Sequence, residues 1–245
     1  MRNWGIGVLV VAAACAVGGC ANLGNLLPPQ SVSDTKTLDQ SITSIKLDAH
    51  SGDVRVQGEA GLTKTTVVRT IKYRDGSAPT QDTYHVDGST LVLAGDCGSN
   101  CSIDYQVTAP AGLPISGQTT AGDVTLAKVG AVDVGTTSGE LDLSDVTGTV
   151  KAHTTNGKVT GTGLRGGGIQ ADTTNGGIEL TLAEAADVTA RTTNGQIRLA
   201  VPADSYRVST DTHNGSRKIR VANDPAGKHS LDLNTDNGEI RVDPV

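Results

Sequence analysis

The sequence contains no phenylalanine, one tryptophan and four tyrosines, and its only methionine is Met1. Without large rings, the core volume must come from Val, Ile and Leu, which suits thin, regularly layered β structure better than one thick globular interior. The same shortage counts against a strong lectin, because sugar-binding faces stack exposed rings on the ligand. Beyond the first residues only Tyr73, Tyr84, Tyr105 and Tyr206 are available for that. Basic excess is missing as well: 20 Lys and Arg stand against 26 Asp and Glu, a formal net charge of −6. Phosphate backbones and anionic lipid both call for clustered Lys and Arg, so the charge balance argues against nucleic acid as a partner and against electrostatic adhesion to lipid. There is no Walker motif, no G-x-S-x-G and no H-E-x-x-H. No catalytic residue, metal ligand or cofactor is therefore nominated. The histidines His50, His85, His153, His213 and His229 are scattered and read as exposed polar residues, with His153 and His213 both beside Thr-Asn-Gly turns.

What is present begins with residues 1–20, MRNWGIGVLVVAAACAVGGC. Arg2 and the terminal amine precede an uncharged run over 5–19 that is short for a spanning helix and has no basic stop-transfer cluster after it. Val17-Gly18-Gly19-Cys20 resembles the lipobox of bacterial lipoproteins. That resemblance implies that Cys20 is diacylated and becomes the mature N-terminus. An ordinary cleaved leader and a retained anchor are the alternatives. The expected organisation is a signal peptide over 1–19, lipidated Cys20 with a flexible tether over 20–36, an N-terminal β region over 37–114, and β-solenoid repeats over 115–245. Two acyl chains hold a protein stably on a bilayer, so the expected place is the extracytoplasmic face of the cell membrane, lipid-anchored through Cys20.

Export places Cys97 and Cys101 in an oxidising compartment. Gly, Ser and Asn lie between them, and strand-like segments flank them at Thr90–Leu93 and Ser102–Val107. A disulfide across a hairpin loop is expected. A metal site fits less well, since no nearby His or Cys completes it, and a redox pair less well, since the spacing is not C-x-x-C.

The most informative pattern lies between residues 115 and 245. A turn dipeptide recurs at Ala121-Gly122, Ser138-Gly139, Asn156-Gly157, Asn175-Gly176, Asn194-Gly195, Asn214-Gly215 and Asn237-Gly238, with steps of 17, 18, 19, 19, 20 and 23 residues. Two residues before each stands Thr (119, 136, 154, 173, 192, 212 and 235), and six before stands Ile, Val or Leu. Two after each Gly stands an aliphatic residue, from Val124 to Ile240, with Ile219 taking that place in the sixth repeat, which carries a two-residue insertion. Alternation on both sides of a turn gives two short strands per repeat. Asn-Gly is expected to supply positive φ. An earlier partial copy, LDAHSGDVRV, spans Leu47 to Val56. Two all-β architectures fit: a repeat-built parallel β-solenoid, in which like columns stack, or an antiparallel β meander of Asn-Gly hairpins. Identity of columns over seven copies favours the solenoid.

The segments TTSGELDL, TTNGGIEL and TTNGQIRL resemble the DUF4097 family of bacterial β-strand-repeat proteins, described as candidate adhesins, over roughly Ile42 to Val245. The resemblance implies an exported or membrane-linked, β-helix-like domain and implies no reaction. The leading expectation is a non-catalytic, adhesin-like binding domain that contacts cell-wall glycan or an envelope protein, its ligand-binding residues unknown. A structural or regulatory envelope protein acting through protein partners is the alternative. A polysaccharide-active β-helix enzyme is a minor one; its charged candidates are Lys151, Arg165, Asp172, Glu179, Arg191, Arg198 and Arg241. Glu179 and Arg198 share a repeat position, which reads as a stacked, solvated pair.

Overall fold

The computed structural model describes residues 30–74, 79–80, 82–95, 97–98 and 100–245. The signal segment, Cys20 and the start of the tether lie outside the described residues. The strands are β1 (Gln30–Leu38), β2 (Ser44–Ser51), β3 (Val54–Glu59), β4 (Thr65–Tyr73), β5 (Tyr84–Asp87), β6 (Thr90–Gly95) and β7 (Cys101–Pro110). The repeats supply β8 (Ile115–Ala121), β9 (Val124–Ala127), β10 (Val132–Ser138), β11 (Leu141–Ser144), β12 (Val150–Asn156), β13 (Val159–Leu164), β14 (Ile169–Asn175) and β15 (Ile178–Leu182). Last come β16 (Val188–Asn194), β17 (Ile197–Val201), β18 (Tyr206–Asn214), β19 (Arg217–Ile219), β20 (His229–Asn237) and β21 (Ile240–Pro244).

Branched and Thr-rich segments with period-2 alternation pleat, and each repeat places one strand in each of two facing sheets. Sheet A has 11 strands in the order β1-β4-β7-β3-β9-β11-β13-β15-β17-β21-β19. Sheet B has 10, in the order β18-β20-β16-β14-β12-β10-β8-β2-β6-β5. Pairing between repeats is parallel and in register: Val132 lies beside Ile115 and Val150, Leu141 beside Val124 and Val159. The chain is thus a parallel β-solenoid. The Asn-Gly dipeptides are corners between opposing sheets, not hairpins, which removes the antiparallel meander; among the described residues, antiparallel pairing is confined to β1-β4-β7 and β5-β6.

The core is a set of stacked columns. Ile45, Ile115, Val132, Val150, Ile169, Val188 and Leu231 form one in sheet B, each at most 4% exposed. Val54, Val124, Leu141, Val159, Ile178, Ile197 and Ile240 form its counterpart in sheet A, each at most 1% exposed. Burying an aliphatic side chain of this size contributes about 1.5–3 kcal/mol, so regular repetition replaces the missing aromatic bulk.

The corners hold together by two chemistries. Where the corner residue is Asn, the side chains form a ladder: Asn175 Nδ2 donates to Asn156 Oδ1 at 2.9 Å, Asn194 to Asn175 at 2.9 Å, Asn237 to Asn194 at 3.0 Å and Asn214 to Asn237 at 2.9 Å. Where it is Ser51 or Ala121, the following Asp does the work instead. Asp53 Oδ1 accepts from the Asp123 amide at 3.1 Å, and Asp123 Oδ1 from the Glu140 amide at 2.9 Å. Positive φ belongs to Gly52 (115°) and Gly122 (120°) in this second group, and is absent at Gly157, Gly176, Gly195, Gly215 and Gly238. In the Asn corners glycine is required by closeness: a Cβ on Gly176 would sit far inside van der Waals contact with the Gly157 carbonyl oxygen.

Three expectations are adjusted. Residues 30–36, read as the end of a tether, lie in β1, where Val32 faces Ile71 and Lys36 faces Val67 of β4. Cys97 and Cys101 are joined by a disulfide, but their loop is a solenoid corner and not a hairpin, because β6 pairs with β2 and β5 while β7 pairs with β3 and β4. Ile219 stacks on Val242 and leaves Arg217 opposite Ile240, so the sixth repeat carries an arginine in an aliphatic column.

Candidate functional site

Outward columns carry whatever chemistry a solenoid offers, since the inward ones are spent on the core. On sheet B one outward column reads Gln118, Gly135, His153, Asp172 and Arg191, and the next reads Ser116, Asp133, Lys151, Gln170 and Thr189. A third position, just before each corner, is Thr120, Thr137, Thr155, Thr174 and Thr193. Gly135 interrupts the first column. Every neighbour there has a long polar side chain, and the absence of one at Gly135 opens a trough of about 530 Å³. Gln118 and His153 flank it along the stack, Ser116 and Asp133 close one side, and Thr137 and Thr155 the other. A second hollow of about 280 Å³ continues it past Lys151 and His153 to Gln170 and Asp172. Gln170 Nε2 donates to Asp172 Oδ2 at 2.7 Å, which fixes the far end.

The trough offers hydroxyl, amide, imidazole, carboxylate and ammonium groups within one shallow channel. The groups whose protonation is displaced lie elsewhere. Glu179, on the outer face of sheet A, is held below the usual carboxylate range by its hydrogen bond and ion pair with Lys158 at 2.6 Å. Asp187 is lowered by the Ser230 amide, which donates to it at 2.7 Å. Burial pushes the Tyr105 phenol up to about 12, where it donates to the Thr83 hydroxyl at 2.7 Å. Displaced pKa values cluster at acid–base sites, and here none of these three lines the trough.

The seven charged candidates are not brought together. Lys151 and Asp172 line the second hollow. Arg191 is further along the same face and pairs with Asp232 at 2.9 Å. Glu179, Arg198 and Arg241 face outward from sheet A, on the opposite side of the molecule. Glu179 and Arg198 are register neighbours, yet the close partner of Glu179 is Lys158. Arg165 lies at the other corner of the solenoid, in a groove of about 480 Å³ with Lys128 and Asp145. Lys128 (φ 54°) and Asp145 (φ 52°) hold left-handed backbone there. His153 and His213 occupy different outward positions, His153 facing Gly135 and His213 preceding the Asn214 corner. Among the described residues, no group of three or more His, Cys, Asp or Glu is placed to hold a metal ion. Sequence reading missed Gln118, Asp133 and Gly135; the available signal was a glycine in VDVGTTSG at a column otherwise filled by long polar residues.

The crystal structure of a candidate adhesin from Bacteroides fragilis superposes with a TM-score of 0.53 at 16% identity, covering 89% of this chain and 100% of that one. A candidate adhesin from Parabacteroides distasonis gives 0.48 at 14% identity, covering 88% and 97%. The first likeness shows a shared fold. No curated protein matches the sequence. The family model for Toastrack DUF4097 matches residues 37–243, which takes in both the N-terminal coils and the repeats. The chain belongs to the Toastrack DUF4097 family.

Proposed function

We propose that this protein is an extracytoplasmic lipoprotein, anchored to the cell membrane by acylated Cys20, whose solenoid is a non-catalytic, adhesin-like binding module. The observation that carries the binding role is the trough at Gly135, an interruption in an otherwise ordered polar face. Its mixed donors and acceptors, without an aromatic platform, fit a polyhydroxylated cell-wall glycan held through hydrogen bonds. The fold shared with the Bacteroides fragilis candidate adhesin supports this reading. The scatter of the seven charged candidates over three surfaces counts against a polysaccharide-cleaving site. The lipid anchor rests on the lipobox resemblance at Val17–Cys20.

Gly135 makes the trough testable without unfolding the protein. A Cβ there meets nothing closer than 3.6 Å, and its φ is not positive. Gly135→Leu should fill the channel while leaving the melting temperature within about 3 °C, the shift expected from about 1 kcal/mol. Retention on isolated cell-wall polysaccharide and on peptidoglycan should then fall at least about tenfold, a loss of about 1.4 kcal/mol. Equal retention of the variant and the wild type would remove the trough from the reading. Retention of a specific envelope protein, and of no wall polymer, would favour the envelope-partner alternative. For the anchor, Cys20→Ala should move the protein out of the membrane fraction; a variant that stays there is held by something other than lipid on Cys20.

A further inference from the structure

The last coil in the sequence is not the last coil in the stack. β20 lies between β16 and β18, and β21 between β17 and β19. After β17 the chain leaves one coil's width open, builds β18 and β19 beyond it, and returns through residues 220–228 to fill the gap. The residues explain this order. The inward positions of β18 and β19 are Val208, Thr210, Thr212, Arg217 and Ile219; the matching positions of β20 and β21 are Leu231, Leu233, Thr235, Ile240 and Val242. The second set can be enclosed on both sides and is, with Leu231, Leu233, Ile240 and Val242 all at 0% exposure. The first set cannot, because an enclosed Arg217 would be an unpaired buried charge. At the end of the stack Arg217 stays exposed and its Nη1 donates to the Thr210 carbonyl at 3.1 Å. Terminal coils of solenoids need such a polar outer side.

The slot fits its occupant on both walls. Leu231 lies between Val188 and Val208, Thr235 between Thr192 and Thr212, and Asn237 between Asn194 and Asn214. On the far wall, Lys218 and Ser216 bind Glu239 at 2.6 and 3.0 Å, and Arg220 binds Asp243 at 3.1 Å. The connecting segment is fastened to the outside of β18: the Val208 amide donates to Asn223 Oδ1 at 2.9 Å, and the Asp224 amide to the Tyr206 carbonyl at 2.8 Å.

We propose that this slot is a strand-acceptor site that takes the β20–β21 segment of a second copy of the chain as well as its own, joining copies by exchange of that coil. A coil that lies between two others is what joins them, since β20 pairs with both β16 and β18. Until it arrives, the slot exposes aliphatic columns and unpaired strand edges, which are templates for an identical segment. Every slot contact made by a neighbour's β20 and β21 is the contact made by its own; exchange gives up only the connector's bonds to β18, which rising concentration offsets.

The test uses the full chain in two single variants, Asn194→Cys and Asn237→Cys, which are register neighbours across the slot. Both are unfolded together, refolded at high concentration under oxidising conditions, and the 194–237 disulfide is read by peptide mass spectrometry. The double variant in one chain reports proper insertion by forming the link internally. The register pair Thr189→Cys and Asp232→Cys repeats the measurement should either Asn variant fold poorly. The expected result is a covalent heterodimer carrying the 194–237 link, at a fraction that rises with refolding concentration. Complete internal linking of the double variant with no link in the mixture overturns the proposal. So does a dimer in the mixture without that link, since copies then associate through another surface.

Discussion

The Thr173 hydroxyl donates to the carbonyl oxygen of Gly157, in the coil below, at 3.0 Å. The same bond joins Thr154 to Gly139 at 3.1 Å, Thr192 to Gly176 at 2.9 Å, Thr235 to Gly195 at 2.9 Å and Thr212 to Gly238 at 3.0 Å. Thr119 and Thr136 occupy the same inward column and are 5% and 4% exposed, yet their hydroxyls find no partner. These two stand over Gly52 and Gly122, the corner glycines with φ near 120°. The two corners whose glycine has φ near 120° and the later corners thus leave different marks on the threonine column.

Isosteric replacement should separate the two kinds of threonine. Thr173→Val leaves the Gly157 carbonyl without its donor and should cost about 1–2 kcal/mol, a fall of roughly 3–6 °C in melting temperature. Thr136→Val removes a buried hydroxyl that has no partner, so its melting temperature should be unchanged or slightly higher. Thermal unfolding by circular dichroism reads both, and equal losses in the two variants would show that the hydroxyl bond contributes nothing.

Neighbouring glycines should respond oppositely to alanine. Gly176→Ala drives a methyl into the Gly157 carbonyl, where backbone on both sides is fixed by pairing, and should cost about 2–3 kcal/mol. Gly177→Ala meets its nearest atom, the Gln196 carbonyl oxygen, at 3.4 Å and should be tolerated. Denaturant midpoints of the two variants check this. Similar midpoints would mean that the corner relaxes and that close approach does not require the glycine.

Tyr105 should titrate late. Burial favours its neutral phenol, raising the value from 10.0 to about 12. A raised folded-state value means that the folded protein holds the proton more tightly than the unfolded chain. The resulting stability is complete below pH 10 and is lost as pH rises through about 12. Ultraviolet difference titration should show a late phenolate component that is missing in Tyr105→Phe. An identical titration curve in that variant would assign the late component elsewhere.

The Cys97–Cys101 disulfide spans a sequence separation of 4, so it restricts the unfolded chain only over a short loop. Chain-entropy reasoning gives about 2 kcal/mol for a loop of that size. Replacing both cysteines by alanine should lower the melting temperature by roughly 4–8 °C while the repeat coils stay intact. Collapse of the whole β signal at room temperature would show that this corner organises far more than its own loop.

The columns were legible because stacking repeats them. Thr154, Thr173 and Thr192, or Val159, Ile178 and Ile197, each recur at a fixed distance from a corner, and parallel in-register pairing is what such recurrence requires. The order of the coils was not legible, since Leu231 and Val208 satisfy the same column and nothing in the pattern says which lies inside. Arg217 is the available clue, and Ile219, two residues on, masks it because an aliphatic residue there fits the column pattern. Asn-Gly in a sequence points to positive φ, whereas at Gly176 the requirement is room for a neighbour's carbonyl, a non-local fact. The corner at Cys97–Cys101 resembled a hairpin because one chain segment does not reveal that its two strands pair with different partners. The trough at Gly135 depends on comparing one outward residue with those above and below it, and that comparison has meaning only once the register is known.

Sheet A begins at one edge with β1, which starts at Gln30, and ends at the other with β19. Its 11 strands, at about 4.8 Å each, separate those edges by roughly 50 Å. Thr210–Ile219 therefore lies at the pole of the stack remote from β1, and the Gly135 trough lies on the flank between them. The two surfaces lie apart along the stack and face different directions, so either can be masked without touching the other.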